Sequence, residues 1–151
     1  MLSAFQSELA ALSRFIEVLQ HEQTALVNAD VDQLVTISAE KLKQAEQLNR
    51  LAQARVSALE SLGIDSDRTH VETWLASQSR DMTEAWNALI EAAKTAQRLN
   101  QTNGKLIESQ LQNNQQALNT LVGAANQSAV YGADGQPRTI YPTSQRTLGK
   151  G

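Results

Sequence analysis

The stretch LSAFQSELAALSRFIEVLQHEQTAL, residues 2–26, decides the fold class of this 151-residue chain. Its apolar side chains recur at alternating steps of three and four residues, with one interruption at Gln23. On an α-helix this spacing places them on a single stripe. The stretch therefore predicts a long amphipathic helix, whose stripe consists of Leu2, Phe5, Leu9, Leu12, Ile16, Leu19 and Leu26.

A tight hairpin and a second long helix are predicted next. Asn28-Ala29-Asp30 is a short turn, and the Asp30 carboxylate can accept hydrogen bonds from the free N–H groups that open the following helix. From Val31 two apolar stripes run side by side, and Gly63 is a natural C-terminal stop. The stripes consist of Val35, Leu42, Ala45, Ala52, Val56 and Leu59, and of Leu34, Ile37, Leu48, Leu51 and Leu62.

The third region begins with a predicted loop over residues 64–68, after which Thr69 can cap a helix. The sequence leaves open whether this helix is separate or begins the next long one. A heptad pattern from Met82 onward turns polar at the seam positions Asn100, Asn103, Gln110 and Asn114. Buried asparagines weaken a coiled-coil seam and usually serve register or partner choice. We therefore expect the second half of this helix to be less firmly packed and partly available to a partner.

These segments predict an all-α fold, an antiparallel bundle of long helices with coiled-coil-like seams and an irregular C-terminal tail. Residues 1–122 are expected to form the helical bundle domain. Residues 123–151 are expected to form a flexible tail that contains Gly, Ser, Gln and Pro, because five of the seven glycines and both prolines, Pro137 and Pro142, lie there without helical periodicity. Only 4% of the residues are aromatic, so the core should consist of narrow seams.

Composition and charge exclude several classes of function. The net charge of −3 is the wrong sign for neutralising phosphates, so nucleic acid is an unexpected partner. The chain has no cysteine for thiolate chemistry. No apolar run spans a bilayer and the first residues lack a signal peptide, so we expect a cytoplasmic protein without direct membrane insertion.

No catalytic, cofactor-binding or metal-binding pattern is evident in the sequence. The two histidines, His21 and His70, are not part of paired Glu-x-x-His motifs, and glycine-rich phosphate loops are missing. We therefore expect a non-enzyme that needs no cofactor. A remote alternative is histidine phosphotransfer through His21, although the flanking Glu17 and Glu22 are acidic where a phosphoryl group requires cations.

Aromatic residues offer two further candidate sites. Trp74 and Trp86 could anchor a partner, but filling the end of a thin core is the favoured interpretation. Tyr131 is followed by glycines at 132 and 135, which indicates either a simple Asp-Gly turn or a displayed recognition element.

Two motifs carry a resemblance to a known family. The Asn-rich stretch NQTNGKLI at residues 100–107 is followed by YGADGQ at residues 131–136. In this combination the chain resembles the FlgN family of flagellar export chaperones. The resemblance implies a cytoplasmic chaperone without a cofactor. Such a chaperone binds the helical termini of the hook-associated (hook–filament junction) proteins, prevents their premature assembly and presents them to the membrane export gate.

The resemblance also implies where partners bind. Substrate binding in that family is attributed to the C-terminal helical region, and Tyr131, within the matching motif, becomes a candidate for docking to the gate. A bundle seam remains an alternative use of the same apolar residues, which would fit a coiled-coil scaffold or adaptor. The implied contact residues are Leu106, Ile107, Leu111, Leu118 and Leu121.

Overall fold

The computed structural model describes residues 1–130, with side chains up to residue 125. These residues form four helices and no strand: α1 (Leu2–Val27), α2 (Val31–Glu60), α3 (Arg68–Leu75) and α4 (Arg80–Val130). The predicted all-α class is confirmed. The chain divides into two compact units, Met1–Ser109 and Gln110–Gly151.

The turn between α1 and α2 is closed by backbone hydrogen bonds and a cap. Ala29 N donates to Leu26 O at 3.2 Å, and Asp30 N donates to Ala25 O at 2.9 Å. This pattern places Ala29 in the left-handed region, with φ 53°. The Asp30 carboxylate accepts the Gln33 N–H at 3.1 Å, which confirms the predicted cap of α2.

The end of α2 follows the predicted glycine stop. Gly63 has φ 73°, and its N–H donates to Glu60 O at 2.9 Å. The next N–H, that of Ile64, reaches back to Leu59 O at 3.0 Å, while the Ile64 side chain packs on the core. Because glycine adopts this backbone conformation without strain, the chain can reverse here.

The short helix α3 is separate from α4, which resolves the boundary that the sequence left open. Its cap is Asp67 and not Thr69, so the predicted cap was wrong. Asp67 Oδ1 accepts the Thr69 N–H at 2.9 Å. Thr69 therefore lies inside the first turn and supplies one of the N–H groups that need capping.

The core of the Met1–Ser109 unit is a narrow seam contributed by all four helices. The rings of Phe5 and Trp86 lie 5.3 Å apart between centroids, and Trp86 is buried. Trp74 is partly buried and packs on the same cluster. Both tryptophans therefore contribute to the core, which was the favoured interpretation of the sequence. The buried cluster consists of Phe5, Leu12, Leu19, Leu59, Val71, Leu75, Trp86, Leu89 and Ala96.

Two ion pairs join α1 to α2 along this unit. Arg55 Nε lies 2.7 Å from Glu8 Oε2, and Lys41 Nζ lies 2.8 Å from Glu22 Oε2. The Arg55 guanidinium also stands 5.7 Å from the centroid of the Trp86 ring. The two carboxylates are largely buried but have cationic partners, which offsets the free energy of removing them from water.

The helix α4 continues to Val130, so residues 123–130 are helical although the sequence placed them in the tail. Gly123 alone disfavours a helix by only about 1 kcal/mol, and the alanines that follow it are strong helix formers. The division into a bundle domain and a tail stays a prediction.

A candidate protein-binding face on α4

Asn103 fixes α4 to α1 at the level where the seam turns polar. Its side chain is fully buried, and Nδ2 donates at 2.8 Å to both Leu19 O and Glu22 Oε2. Burial of the seam asparagines is thus confirmed at this position. The prediction of burial was wrong for Asn100 and Asn114, whose side chains are exposed because no described helix packs over them.

From Ile107 to residue 125 the apolar side chains of α4 are exposed. Leu111 and Leu121 are 67% and 66% exposed, and all the other side chains from residue 111 to residue 125 are exposed as well. At 100° per residue the large apolar side chains fall within an arc of about 100° on the helix. This α4 face consists of Ile107, Leu111, Leu118, Leu121 and Val122.

The α4 face includes four of the five predicted contact residues. Leu106 is half-buried and lies about 110° from the centre of the face, so the structure does not bring it together with the others. Val122 belongs to the face but was missed, because sequence reasoning took it as the last residue before a tail. The 3.6-residue period that relates Val122 to Leu118 could have identified it.

The polar residues around the α4 face are amides and hydroxyls, and Glu108 is the one charged residue between Ile107 and Val122. Gln115 Nε2 donates to Asn119 Oδ1 at 3.2 Å along the exposed side of the helix. A helix of this composition can pack against another helix without burying an unpaired charge. The face is therefore suited to reversible association with an amphipathic helix.

Other candidate residues lie elsewhere. Tyr131 lies outside the described residues. His21 is exposed on α1, and the neighbouring Glu22 is turned into the bundle, where Lys41 and Asn103 bind it. Within residues 1–130 no three potential ligands cluster as a metal site would require. In the same range no helix combines the length and apolar character needed to cross a membrane.

Comparisons with known proteins agree with this architecture. The family model described as "FlgN protein" matches residues 1–139. The flagella synthesis protein FlgN of Salmonella typhimurium is 31% identical over 130 residues, covering 83% of this chain and 91% of that protein. The Escherichia coli protein of the same name is 27% identical over 134 residues, covering 86% of this chain and 94% of that protein.

A solved structure supports the fold independently. The crystal structure of a Pseudomonas aeruginosa protein described as a flagella synthesis protein superimposes with a TM-score of 0.63 at 20% identity. The match covers 70% of this chain and 84% of that chain. The helical architecture is thus shared, and the match of the family model over residues 1–139 extends the likeness to most of the sequence. The chain belongs to the FlgN family of flagella synthesis proteins.

Proposed function

We propose that this protein is a cytoplasmic flagellar export chaperone. It binds the terminal helices of hook–filament junction proteins, keeps them from assembling prematurely and delivers them to the membrane export gate. The observation that carries the proposal is the α4 face, in which large apolar side chains stay exposed on a stretch of helix, residues 107–122, whose single charged residue is Glu108. Membership of a flagella synthesis family supports the flagellar context.

The physical mechanism is pairing between helices. A client's terminal helix carries an apolar stripe that needs a cover until assembly, and the α4 face supplies one. Burying one exposed leucine contributes about 1.5–3 kcal/mol, so a few such residues suffice for binding. Ordering a client helix on binding offsets about 2–5 kcal/mol of that gain, which keeps the affinity moderate and the client releasable.

The test is binding of a purified terminal segment of a junction protein to the full chain, measured by calorimetry. Leu118→Glu places a charge in the middle of the α4 face and is expected to weaken binding by about tenfold or more. Because Leu118 is 56% exposed, the fold should persist. Leu62→Glu is the matched control, since Leu62 is similarly exposed, at 57%, beyond the end of α2. Equal client binding by both variants would refute the α4 face as the site.

Docking to the export gate is proposed to involve Tyr131. Tyr131→Ala should leave client binding unchanged and weaken capture by the purified gate component, since the residues assigned to client binding end at Val122 in the sequence. Tyr141→Ala is a matched control in the same C-terminal segment. Loss of gate binding in both variants, or in neither, would contradict a specific role of Tyr131.

The α4 face also fits a second candidate function, a coiled-coil scaffold or adaptor. A scaffold would use the exposed leucines only for self-association, and no junction protein would bind at any concentration. Measuring client binding and mass by light scattering on the same sample separates the two functions. A 1:1 complex with the client favours the chaperone.

A further inference from the structure

A groove separate from the α4 face runs between α2 and α4 over the surface of α1. One end of the groove is a cavity of 450 Å³, with Phe15 from α1, Leu42 and Ala45 from α2, and Asn100 from α4 among its lining residues. Leu42 is 64% exposed there, although it belongs to an apolar stripe of α2. In the described part of the chain nothing covers this end of the stripe.

The other end of the groove is a cavity of 270 Å³ lined by the same three helices. Leu12, Ala52 and Ile90 contribute apolar surface from α1, α2 and α4 respectively. On each helix the residues of the two cavities lie on one face, so the cavities belong to a single groove. The two cavities are centred about ten residues apart along the lining helices, or about 15 Å.

The charges that line the groove are already paired within the chain. Glu8 and Arg55 line the smaller cavity and form one ion pair, while Glu22 and Lys41 line the larger cavity and form the other. A charged occupant would compete with these pairs or bury a charge without a partner. The groove therefore favours an occupant that is apolar and uncharged along the buried face.

We propose that this groove binds the α4 face of a second copy of the chain. Residues 107–122 contain a single charged residue, Glu108, which matches the absence of unpaired charge in the groove. Ile107 and Leu118 are separated by 11 positions, as are Leu111 and Val122. Such a step spans about 16 Å and returns to nearly the same side of the helix, so one pair can reach both cavities.

The docking would be reciprocal. In a twofold dimer each copy inserts its α4 face into the groove of the other, and the same contacts form twice. Leu42 of the groove wall would be covered together with Leu111 and Leu118. Val35, which is 70% exposed and lies seven residues before Leu42 on the same side of α2, extends this apolar surface beyond the cavity. Two such contacts can reach the roughly 1,000 Å² of total buried surface that a specific interface needs.

Dimerisation would regulate access of the client. This consequence depends on the proposed function, since the α4 face cannot contact a junction protein and a second groove at once. A client helix would therefore convert the dimer into a 1:1 complex, and the free chaperone would keep its exposed leucines covered. The affinity for the client would fall as the chaperone concentration rises.

The first test is analytical ultracentrifugation of the full chain over a range of concentrations. We expect a dimer that dissociates on dilution, with Leu42→Glu and Leu118→Glu each weakening it by about tenfold or more. Leu62→Glu, an equally exposed leucine outside the groove and the α4 face, should leave the dimer unchanged. A wild-type protein that stays monomeric at the highest concentration, or a dimer unaffected by Leu42→Glu, would overturn the proposal.

The second test exploits the absence of cysteine in the natural chain. Ala45→Cys places a thiol in the groove of one sample and Leu118→Cys places one on the α4 face of another. After mixing and mild oxidation, a disulfide between the two variants is expected. A sample of Leu62→Cys mixed with Leu118→Cys is the control and should give markedly less mixed disulfide. Equal cross-linking in both mixtures would refute docking in the groove.

Client binding keeps this proposal distinguishable from the chaperone proposal. Leu42→Glu changes only the groove, so it should weaken dimerisation and leave client binding intact or stronger. If Leu42→Glu instead loses the client while the wild-type protein is monomeric, the groove binds the client and the dimer proposal is wrong. If the protein forms the expected dimer in both tests but binds no client, the proposal of dimerisation through the groove is supported and the chaperone proposal is refuted.

Discussion

Asn103 Nδ2 donates a 2.8 Å hydrogen bond to Glu22 Oε2 and so joins α4 to α1 across 81 residues of chain. The same nitrogen donates to Leu19 O at 2.8 Å, and the side chain is fully buried. Lys41 holds the same carboxylate from α2. The Glu22 carboxylate of α1 is therefore bound by side chains from both α2 and α4, four residues before the α4 face begins at Ile107.

Asn103→Asp tests the polar contact with almost no change in shape. The substitution removes the donor and places a second carboxylate beside Glu22, which raises the pKa of the new side chain. We expect a loss of about 2–3 kcal/mol in the free energy of unfolding at pH 7. The loss should shrink as the pH falls towards 5, because the introduced carboxyl group can again donate once it is protonated. Thermal unfolding, followed by circular dichroism at pH 7 and at pH 5, measures this loss in the free energy of unfolding.

The exposed Asn113 provides the control for this change. Asn113→Asp adds the same charge on the same helix without a buried partner and should change the unfolding free energy by less than about 0.5 kcal/mol at either pH. Equal effects at the two positions would contradict the role of Asn103.

Arg55→Ala tests the ion pair between α1 and α2. Glu8 would stay buried without its cation, and the contact with the Trp86 ring would be lost. We expect a loss of about 3 kcal/mol in the free energy of unfolding. The double variant with Glu8→Leu should recover part of that loss, because it removes the unpaired charge. Urea unfolding of Arg55→Ala, Glu8→Leu and the double variant gives the coupling free energy between Glu8 and Arg55.

Arg50→Ala is the matched control for the ion pair, because Arg50 is an exposed arginine on the same helix. It should change stability by less than about 0.5 kcal/mol. A double variant as unstable as the sum of its singles would show that Glu8 and Arg55 do not interact.

Ala29→Gly should stabilise the protein. Ala29 has φ 53°, a conformation that disfavours residues with a Cβ by about 1–2 kcal/mol. Glycine removes this strain but gives the unfolded chain more conformational freedom, which lowers stability by about 0.5–1 kcal/mol. The expected net gain is about 0.5 kcal/mol, measured as a higher midpoint in urea. Ala39→Gly, at an interior position of α2, is the opposite control and should lower the free energy of unfolding by about 1 kcal/mol. A decrease in both variants would contradict the strain at Ala29.

Asp67 makes the cap of α3 sensitive to acid. The backbone N–H of Thr69 is the main cause that holds the pKa of Asp67 below its ordinary value of 3.8. A lowered pKa means that the stabilisation is present above pH 3.8 and is lost as the pH falls through the folded-state value. An NMR titration of the carboxyl group should show the lowered midpoint.

Asp67→Asn separates the charge of the cap from its hydrogen bond. The amide oxygen can still accept from Thr69, so α3 should persist while the acid-dependent contribution of this residue disappears. The difference in stability between Asp67→Asn and the natural protein should therefore vanish at low pH. A difference that is constant across the titration would contradict the assignment.

The local signals in the sequence predicted most of the helices correctly. The stripe from Leu2 to Leu26 specified α1, and Asp30 and Gly63 marked the beginning and the end of α2. These signals are local, because capping and helical period depend on residues within one or two turns. The cap of α3 was missed because Asp67 and Thr69 are both suitable cap residues, and their spacing alone does not choose between them.

The candidate site was predicted only in part. The apolar residues of the α4 face have the same period as the buried residues of α1, so period alone cannot separate a seam from an exposed surface. The structure made that distinction at Leu111 and Leu118, which are exposed, and at Leu106, which is half-buried on another side. The groove between α2 and α4 was absent from the sequence reasoning because its two walls come from distant segments.

The sequence by itself determined that this chain forms long amphipathic helices, because the spacing of apolar residues and the end signals act within each helix. The tertiary structure alone decided which stripes are covered. Leu12 and Leu42 belong to equally apolar stripes, yet one is 8% exposed and the other 64%. Burial is a property of packed neighbours, and those neighbours come from parts of the chain that local spacing cannot relate.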